Sequence, residues 1–233
     1  MKDAYIVQSV RTPGCKQKRG LFKQTRPEEL ISFIMKSAVE KTKNLTPENL
    51  DDVMLGCAFP EAEQGLNLGR VVTQMCGFPE KVSGATVNRF CASGLEAIAL
   101  ADVRVKMGWS DVTIGAGVES MTFVPMGGNM PRPHPEFSRD NPQNYISMGI
   151  TAENVANRYN VTREAQDEFA FKSQTKAARA RDNGLFTEII PTPAVNYVKQ
   201  ADGTYKKELF TVEHDDGIRV STGIRLDKLR TVF

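Results

Sequence analysis

Over its first 117 residues the chain alternates short apolar runs with helix-patterned segments, and this alternation limits the fold more than any other feature. "AYIVQSV" (4–10), "DVMLGCAF" (52–59), "GATVNRF" (84–90) and "DVTIGAG" (111–117) read as strands. Between the first two, "RPEELISFIMKSAVEKT" (26–42) reads as a helix. Pro27 suits its first turn, Glu28 and Glu29 favour the positive end of the dipole, and Leu30, Ile34 and Ala38 recur every fourth residue. "NLGRVVTQMCGF" (67–78) predicts a shorter helix stopped by Gly77, and residues 92–107 a third that ends at Gly108. Such alternation builds an α/β layer domain, a mostly parallel sheet covered by helices.

After Glu119 the pattern breaks. "MTFVPMGGNMPRPHPEF" is too rich in Met, Pro and Gly for a regular element. A helix over about 151–159 follows, then one from Thr162 as N-cap to Gly184. "VNYVKQADGTYKKELFTV" predicts a hairpin turning at Asp202-Gly203. The expected division is therefore 1–118, the sheet domain, and 119–233, a loop domain. The sequence holds no internal repeat and no low-complexity tract.

A chain of 233 residues, 40% hydrophobic and 25% charged, can bury a real core and belongs with ordinary globular proteins. Its net charge of +2 gives no ground for a nucleic-acid partner. No apolar run reaches the length of a membrane span. The N-terminus passes straight into a strand pattern without the apolar stretch of a signal peptide, so a cytoplasmic location is expected. Cys15, Cys57, Cys76 and Cys91 form no CxxC pair, which favours reduced thiols over disulfides. Residues 11–26 carry Arg11, Lys16, Lys18, Arg19, Lys23 and Arg26 with no acid. They read as a solvated loop, with a nearby anionic ligand as the alternative.

Cys91 stands apart because of its place, between a β-like run and a nearly all-apolar helix opening with Ala-Ser-Gly. The positive end of a helix dipole stabilises a thiolate, the nucleophilic form, and unpaired first-turn N–H groups can hold an oxyanion. Ser93 and Gly94 are small enough for a bulky substrate to approach. With only Glu96 and Asp102 as charges in its first eleven residues, the helix is expected to be mostly buried. Cys57 and Cys76 lie among apolar neighbours and read as core, and Cys15 as incidental. His134 and His214 are too far apart in sequence for a metal-ligand spacing. "GAGVES" (115–120) lacks the third glycine and the following helix of a dinucleotide site.

"VNRFCASGLEAIALA" resembles the nucleophile segment of the thiolases, the acyl-CoA acetyltransferase and 3-ketoacyl-CoA thiolase family. "AYIVQSVRTPGCKQKRGLF", "GAGVESMTFVPM", "MGITAENVA", "VTREAQDEFAFKSQ", "GLFTEIIP" and "DDGIRVSTGIRLDKLRTVF" are similar to other segments of that family, in the same order. The resemblance implies the N-terminal α/β half-domain of a thiolase, with an inserted loop domain and without the C-terminal half. It implies that Cys91 is the nucleophile that becomes acylated, its own N–H helping to form an oxyanion hole. Glu119, Ser120 and Met121 match the segment that closes the sheet domain beside the active site. Ser147 and Met148 match positions near the pantetheine arm of coenzyme A, and Arg219 one near its nucleotide end; a histidine common in the family is Ser147 here.

The reaction so implied is thiolytic cleavage of a 3-ketoacyl-CoA, or the reverse condensation, through acyl-Cys91, with "FVPMGG" and "NMPRPHPEF" favouring the β-oxidation type over the short-chain acetoacetyl-CoA type. Coenzyme A and acyl-CoA are substrates, with no permanently bound cofactor and no metal. The family implies a homodimer or homotetramer, and neither nucleic acid nor membrane as partner. Its Asn-Glu-Ala-Phe segment, Gly-His-Pro histidine and second, Cys-x-Gly-Gly cysteine have no match here, so the segment alone is expected to be nearly inactive. A cysteine hydrolase using His134 or His214, and a non-catalytic acyl-CoA-binding or assembly module, are the rival readings.

Overall fold

The computed structural model describes residues 2–219 and 226–233. Its core is organised by one strand whose five residues are all buried, β1 (Asp52–Gly56). β2 (Ser83–Val87) and β3 (Thr113–Gly117) lie on either side of it, both parallel. Gly56 pairs with Val87 on one side and Gly117 on the other, so all three strands finish at the same edge.

The two faces of β1 are covered by different helices, as period-two alternation requires. Val53, Leu55 and Cys57 face a cluster with Ile31, Ile34, Met35 and Val39 of α1 (Pro27–Lys41) and with Leu68 and Val72 of α2 (Leu68–Met75). Met54 faces Ala97 and Ala101 of α3 (Ser93–Lys106). Each fully buried aliphatic side chain of this kind contributes about 1.5–3 kcal/mol. α1 starts at Pro27 with Glu28 and Glu29 in its first turn, and α2 is capped by Asn67, whose side chain accepts from Arg70 N at 3.3 Å.

Two expectations fail in this region. Residues 4–10 form no strand: Tyr5, Ile6 and Val7 are exposed, and the nearest pairing is an isolated bridge from Arg11 to Ile189. An alternating pattern shows that a segment suits a sheet, but a strand exists only when a neighbour takes up its hydrogen bonds. α3 is also far less buried than its composition suggested. Ser93, Ala97 and Ala101 form a narrow buried stripe, while Leu95 is 71% exposed. Among the described residues the sheet covers one side of α3 only.

By internal contacts the chain forms two units, Met1–Asn129 with Glu188–Gly217, and Met130–Thr187 with Ile218–Phe233. The second holds α4 (Pro135–Asp140), α5 (Met148–Tyr159) and α6 (Arg163–Asp182). α4 begins inside the stretch expected to be irregular, because His134 Nδ1 accepts from Phe137 N at 3.3 Å and Pro135 fixes the first turn. Thr162 caps α6 through Ala165 N at 3.2 Å, as the sequence indicates. In the first unit, β4 (Thr192–Lys199) and β5 (Tyr205–Val212) make the expected hairpin, turning through Asp202 and Gly203. Val195 N donates to Thr25 Oγ1 at 2.9 Å, which fixes the hairpin to the segment before α1.

The basic loop keeps most of its charged side chains exposed, and its backbone is held by two acids from far along the chain. Asp216 accepts from Lys16 N and Leu21 N at 2.8 and 2.9 Å, and Asp215 from Gly14 N at 2.6 Å. Arg11 donates to both oxygens of Asp215, at 2.7 and 3.1 Å, and to Glu188 at 2.9 Å. These carboxylates take up Arg11 and the loop's backbone N–H groups, while the side chains of Lys16, Lys18, Arg19 and Lys23 are exposed.

Candidate active site

Cys91 is exposed and lies directly before Ala92, the N-cap of α3, at the edge where all three parallel strands end. The turn leading to it is tight. Phe90 adopts φ +46°, a backbone region unfavourable for a bulky side chain by about 1–2 kcal/mol. Two sets of bonds hold it there. Buried Ser93 donates its hydroxyl to Phe90 O at 2.6 Å and accepts from Arg89 N at 2.9 Å. Ala92 N and Ser93 N bond back to Arg89 O and Phe90 O at 3.0 and 2.9 Å. The Phe90 ring rests against Phe59, with centroids 5.8 Å apart, and Arg89 pairs with Glu96 at 2.8 Å.

The first turn of α3 sits hard against the strand ends. A Cβ on Gly56 would overlap the Ser93 carbonyl, so only glycine admits this approach. Above Gly94, by contrast, a Cβ would meet open space, which leaves room over the helix terminus for a ligand. Among the described residues no hydrogen bond engages the N–H of Cys91, Gly94 or Leu95. An exposed thiol beside unpaired first-turn donors is an arrangement suited to nucleophilic attack on a carbonyl, with the developing oxyanion held by backbone N–H groups.

The other cysteines are placed differently. Cys57 and Cys76 are buried in the main core; burial, with the Glu119 charge adding to it, pushes the Cys57 thiol up to about 12, and burial pushes Cys76 to about 11. Cys15 packs beside Phe22, Ala194 and Val212, and burial with Asp216 raises it to about 11.

The remaining sequence-indicated residues fall in the second unit. Ser147 is the N-cap of α5, its hydroxyl accepting from Ile150 N at 3.4 Å, and Met148 beside it is exposed. The Phe233 ring lies over Gly149, where any Cβ would overlap it. Arg219 is exposed and its N–H donates to Gln174 Oε1 at 2.8 Å, tying it to α6. Phe233, Asn88 and Gln64 add contacts in these regions that no local pattern marks. Asn88 bonds Ala58 O at 2.9 Å and Phe90 N at 2.8 Å, while Gln64 is fully buried and bonded to Glu119 at 2.6 Å. No local motif marks such partners, since they meet only in the folded chain.

No helix among the described residues is long and apolar enough to cross a membrane. The family Thiolase, N-terminal domain, matches residues 4–233. The chain is 40% identical over 235 residues to the 3-ketoacyl-CoA thiolase of Bacillus subtilis (strain 168), covering 100% of this chain and 60% of that protein. It is 41% identical over 237 residues to the peroxisomal 3-ketoacyl-CoA thiolase of Homo sapiens, covering 99% of this chain and 54% of the human protein. The crystal structure of the Bacillus anthracis acetyl-CoA acetyltransferase superposes with a TM-score of 0.77 at 30% identity, over 98% of this chain and 57% of that one. The chain thus spans little more than half the length of these relatives, and over that span the sequence, the sheet and the matched family agree: it belongs to the thiolase family, as an N-terminal domain.

Proposed function

We propose that Cys91 is the acyl-carrying nucleophile of a 3-ketoacyl-CoA thiolase. The observation that carries this reading is the exposed Cys91 thiol at the N-terminus of α3, beside the unpaired N–H groups of Gly94 and Leu95. The kinship with 3-ketoacyl-CoA thiolases supports the substrate class. In the cleavage direction the Cys91 thiolate attacks the 3-keto carbon of a 3-ketoacyl-CoA. The bond between C2 and C3 breaks, and acetyl-CoA departs after its C2 takes up a proton. The acyl group is now a thioester on Cys91. The thiolate of coenzyme A attacks that thioester and carries the group away, returning the Cys91 thiolate.

Met148 and Arg219 are the side chains we assign to the acyl-CoA substrate, with Ser147 holding the turn that presents Met148. Coenzyme A is a substrate in this scheme and no resident cofactor takes part. Fatty-acid β-oxidation, a cytoplasmic location and a homodimeric or homotetrameric protein complete the reading. His134 caps α4 and His214 lies beside Asp215, so we assign the proton-transfer role to neither. The chain is therefore expected to accept an acyl group without sustained turnover, since each positioned acid–base group is typically worth about 10²–10⁴-fold in rate.

Intact-mass measurement after incubation with acetyl-CoA or acetoacetyl-CoA, followed by peptide mapping, tests the reading. One acetyl group on Cys91, absent from Cys91→Ala, is the expected result. An adduct on another residue, or none, would overturn it for this chain. Release of free acid from the thioester without coenzyme A as acceptor would favour a hydrolase instead.

A further inference from the structure

We propose that Gln64 is a positioning residue for the Cys91 turn, acting through Glu119, Ala58 and Asn88. The inference rests on the reading of Cys91 as the nucleophile. Gln64 lies in a 3-10 turn (Ala62–Gln64) beyond β1 and is fully buried, yet its amide is bonded at both ends. Nε2 donates to Glu119 Oε1 at 2.6 Å and to Phe59 O at 3.0 Å; Oε1 accepts from Ser120 N at 2.5 Å. These partners belong to the segments that leave β1 and β3.

The path continues to the nucleophile. The second oxygen of Glu119 accepts from Ala58 N at 2.7 Å. Ala58 O accepts from Asn88 Nδ2 at 2.9 Å, and Asn88 Oδ1 accepts from Phe90 N at 2.8 Å. Side-chain bonds thus link the ends of all three parallel strands and finish on the residue before Cys91. An apolar side chain of similar size would fill the same core without desolvating an amide. What the bonded amide adds is a fixed geometry, because a fully satisfied buried polar group selects one arrangement of its neighbours. That geometry reaches Phe90 N; with this bond gone only the Ser93 and Ala92 contacts would hold the unfavourable φ, and the loosened turn would move the Cys91 sulfur and the adjacent N–H groups together.

Peptide-resolved alkylation of Cys91 by iodoacetamide across a series of pH values tests this on the intact chain. Gln64→Met keeps the volume and removes the bonds; Asn88→Ala cuts the path downstream at an exposed residue. Each should change the Cys91 rate by about tenfold or more and displace its pH profile, since a small misplacement of a reacting group carries costs of that order. The double variant should go no further than either single one, and the Cys15 rate should stay put. A fast wild-type rate left unaltered in both variants, with only the melting temperature lowered, would overturn the proposal and leave the nucleophile reading intact. A wild-type Cys91 no more reactive than the same thiol in the urea-unfolded chain would instead remove the nucleophile reading, and this proposal with it. If Gln64→Met does not fold, Asn88→Ala alone decides.

Discussion

Arg104 Nη1 lies 3.0 Å from Asp52 Oδ2, joining the last turn of α3 to the first residue of β1. Gly56 holds the first turn of the same helix against the last residue of the same strand, so α3 is fastened at both ends. The contact is an ion pair without hydrogen-bond alignment, since Asp52 Oδ2 makes no hydrogen bond. Asp52 is almost fully buried, its other oxygen held by Ser83 Oγ at 2.7 Å and Val53 N at 2.9 Å. Arg104 therefore supplies charge compensation that these bonds do not. Arg104→Met should lower the unfolding free energy by about 2–4 kcal/mol, with Asp52→Asn in the same chain recovering part of the loss. Urea titration of the two single variants and the double one checks this.

Gly56→Ala should be costly for a different reason. Its methyl group would strike the Ser93 carbonyl, a backbone group that moves only if α3 moves. About 1–3 kcal/mol of destabilisation is expected from overpacking. The Cys91 turn should shift with the helix, read as changed amide resonances for residues 89–94.

The Arg11 guanidinium donates to both Asp215 oxygens and holds that carboxyl below its ordinary range, with Gly14 N helping and burial opposing. A folded pKa below the unfolded one gives stability that is present above the unfolded pKa and lost as pH falls through the folded value. Asp215→Asn should thus be less stable at neutral pH, by about 1–3 kcal/mol for the loss of charge-assisted bonds. Its stability should also fall less steeply than wild type below about pH 4. Thermal melts at a series of acidic pH values distinguish the two.

The four thiols should react in a set order. Cys57, at about 12, and Cys76, at about 11, are buried, and Cys15 is raised to about 11 and half-buried. Cys91 is exposed. A limiting amount of alkylating reagent at neutral pH should go to Cys91, with Cys57 and Cys76 labelled only in denaturant. Mass spectrometry of the modified peptides reads this directly.

Much of the frame was legible because it depends on neighbours in sequence. The periodicity of 26–42, the helix that follows Cys91, the Thr162 cap and the Asp202-Gly203 turn all rest on local chemistry, and each stands where the pattern put it. Residues 4–10 were misread because a strand needs a partner that no local pattern supplies. The exposed flank of α3 was misread because composition does not say which face the sheet will cover. The network from Gln64 to Asn88 joins residues that are far apart in the chain, and the pairing of Asp215 and Asp216 with the basic loop spans about two hundred positions. The basic charges stand out locally, but the acids that return to meet Arg11 and the loop's backbone N–H groups do not.

β1 is paired along both edges and covered on both faces, and this has a kinetic side. Its neighbours β2 and β3 lie well downstream, so the strand cannot be flanked until synthesis has passed Gly117. Contacts so distant along the chain are slow to form. The Cys91 turn depends on the ends of all three strands, which makes it a late product of assembly. Until then Cys91 is an ordinary thiol on an unfinished chain, and the order in which the sheet closes sets when the turn that presents it takes shape.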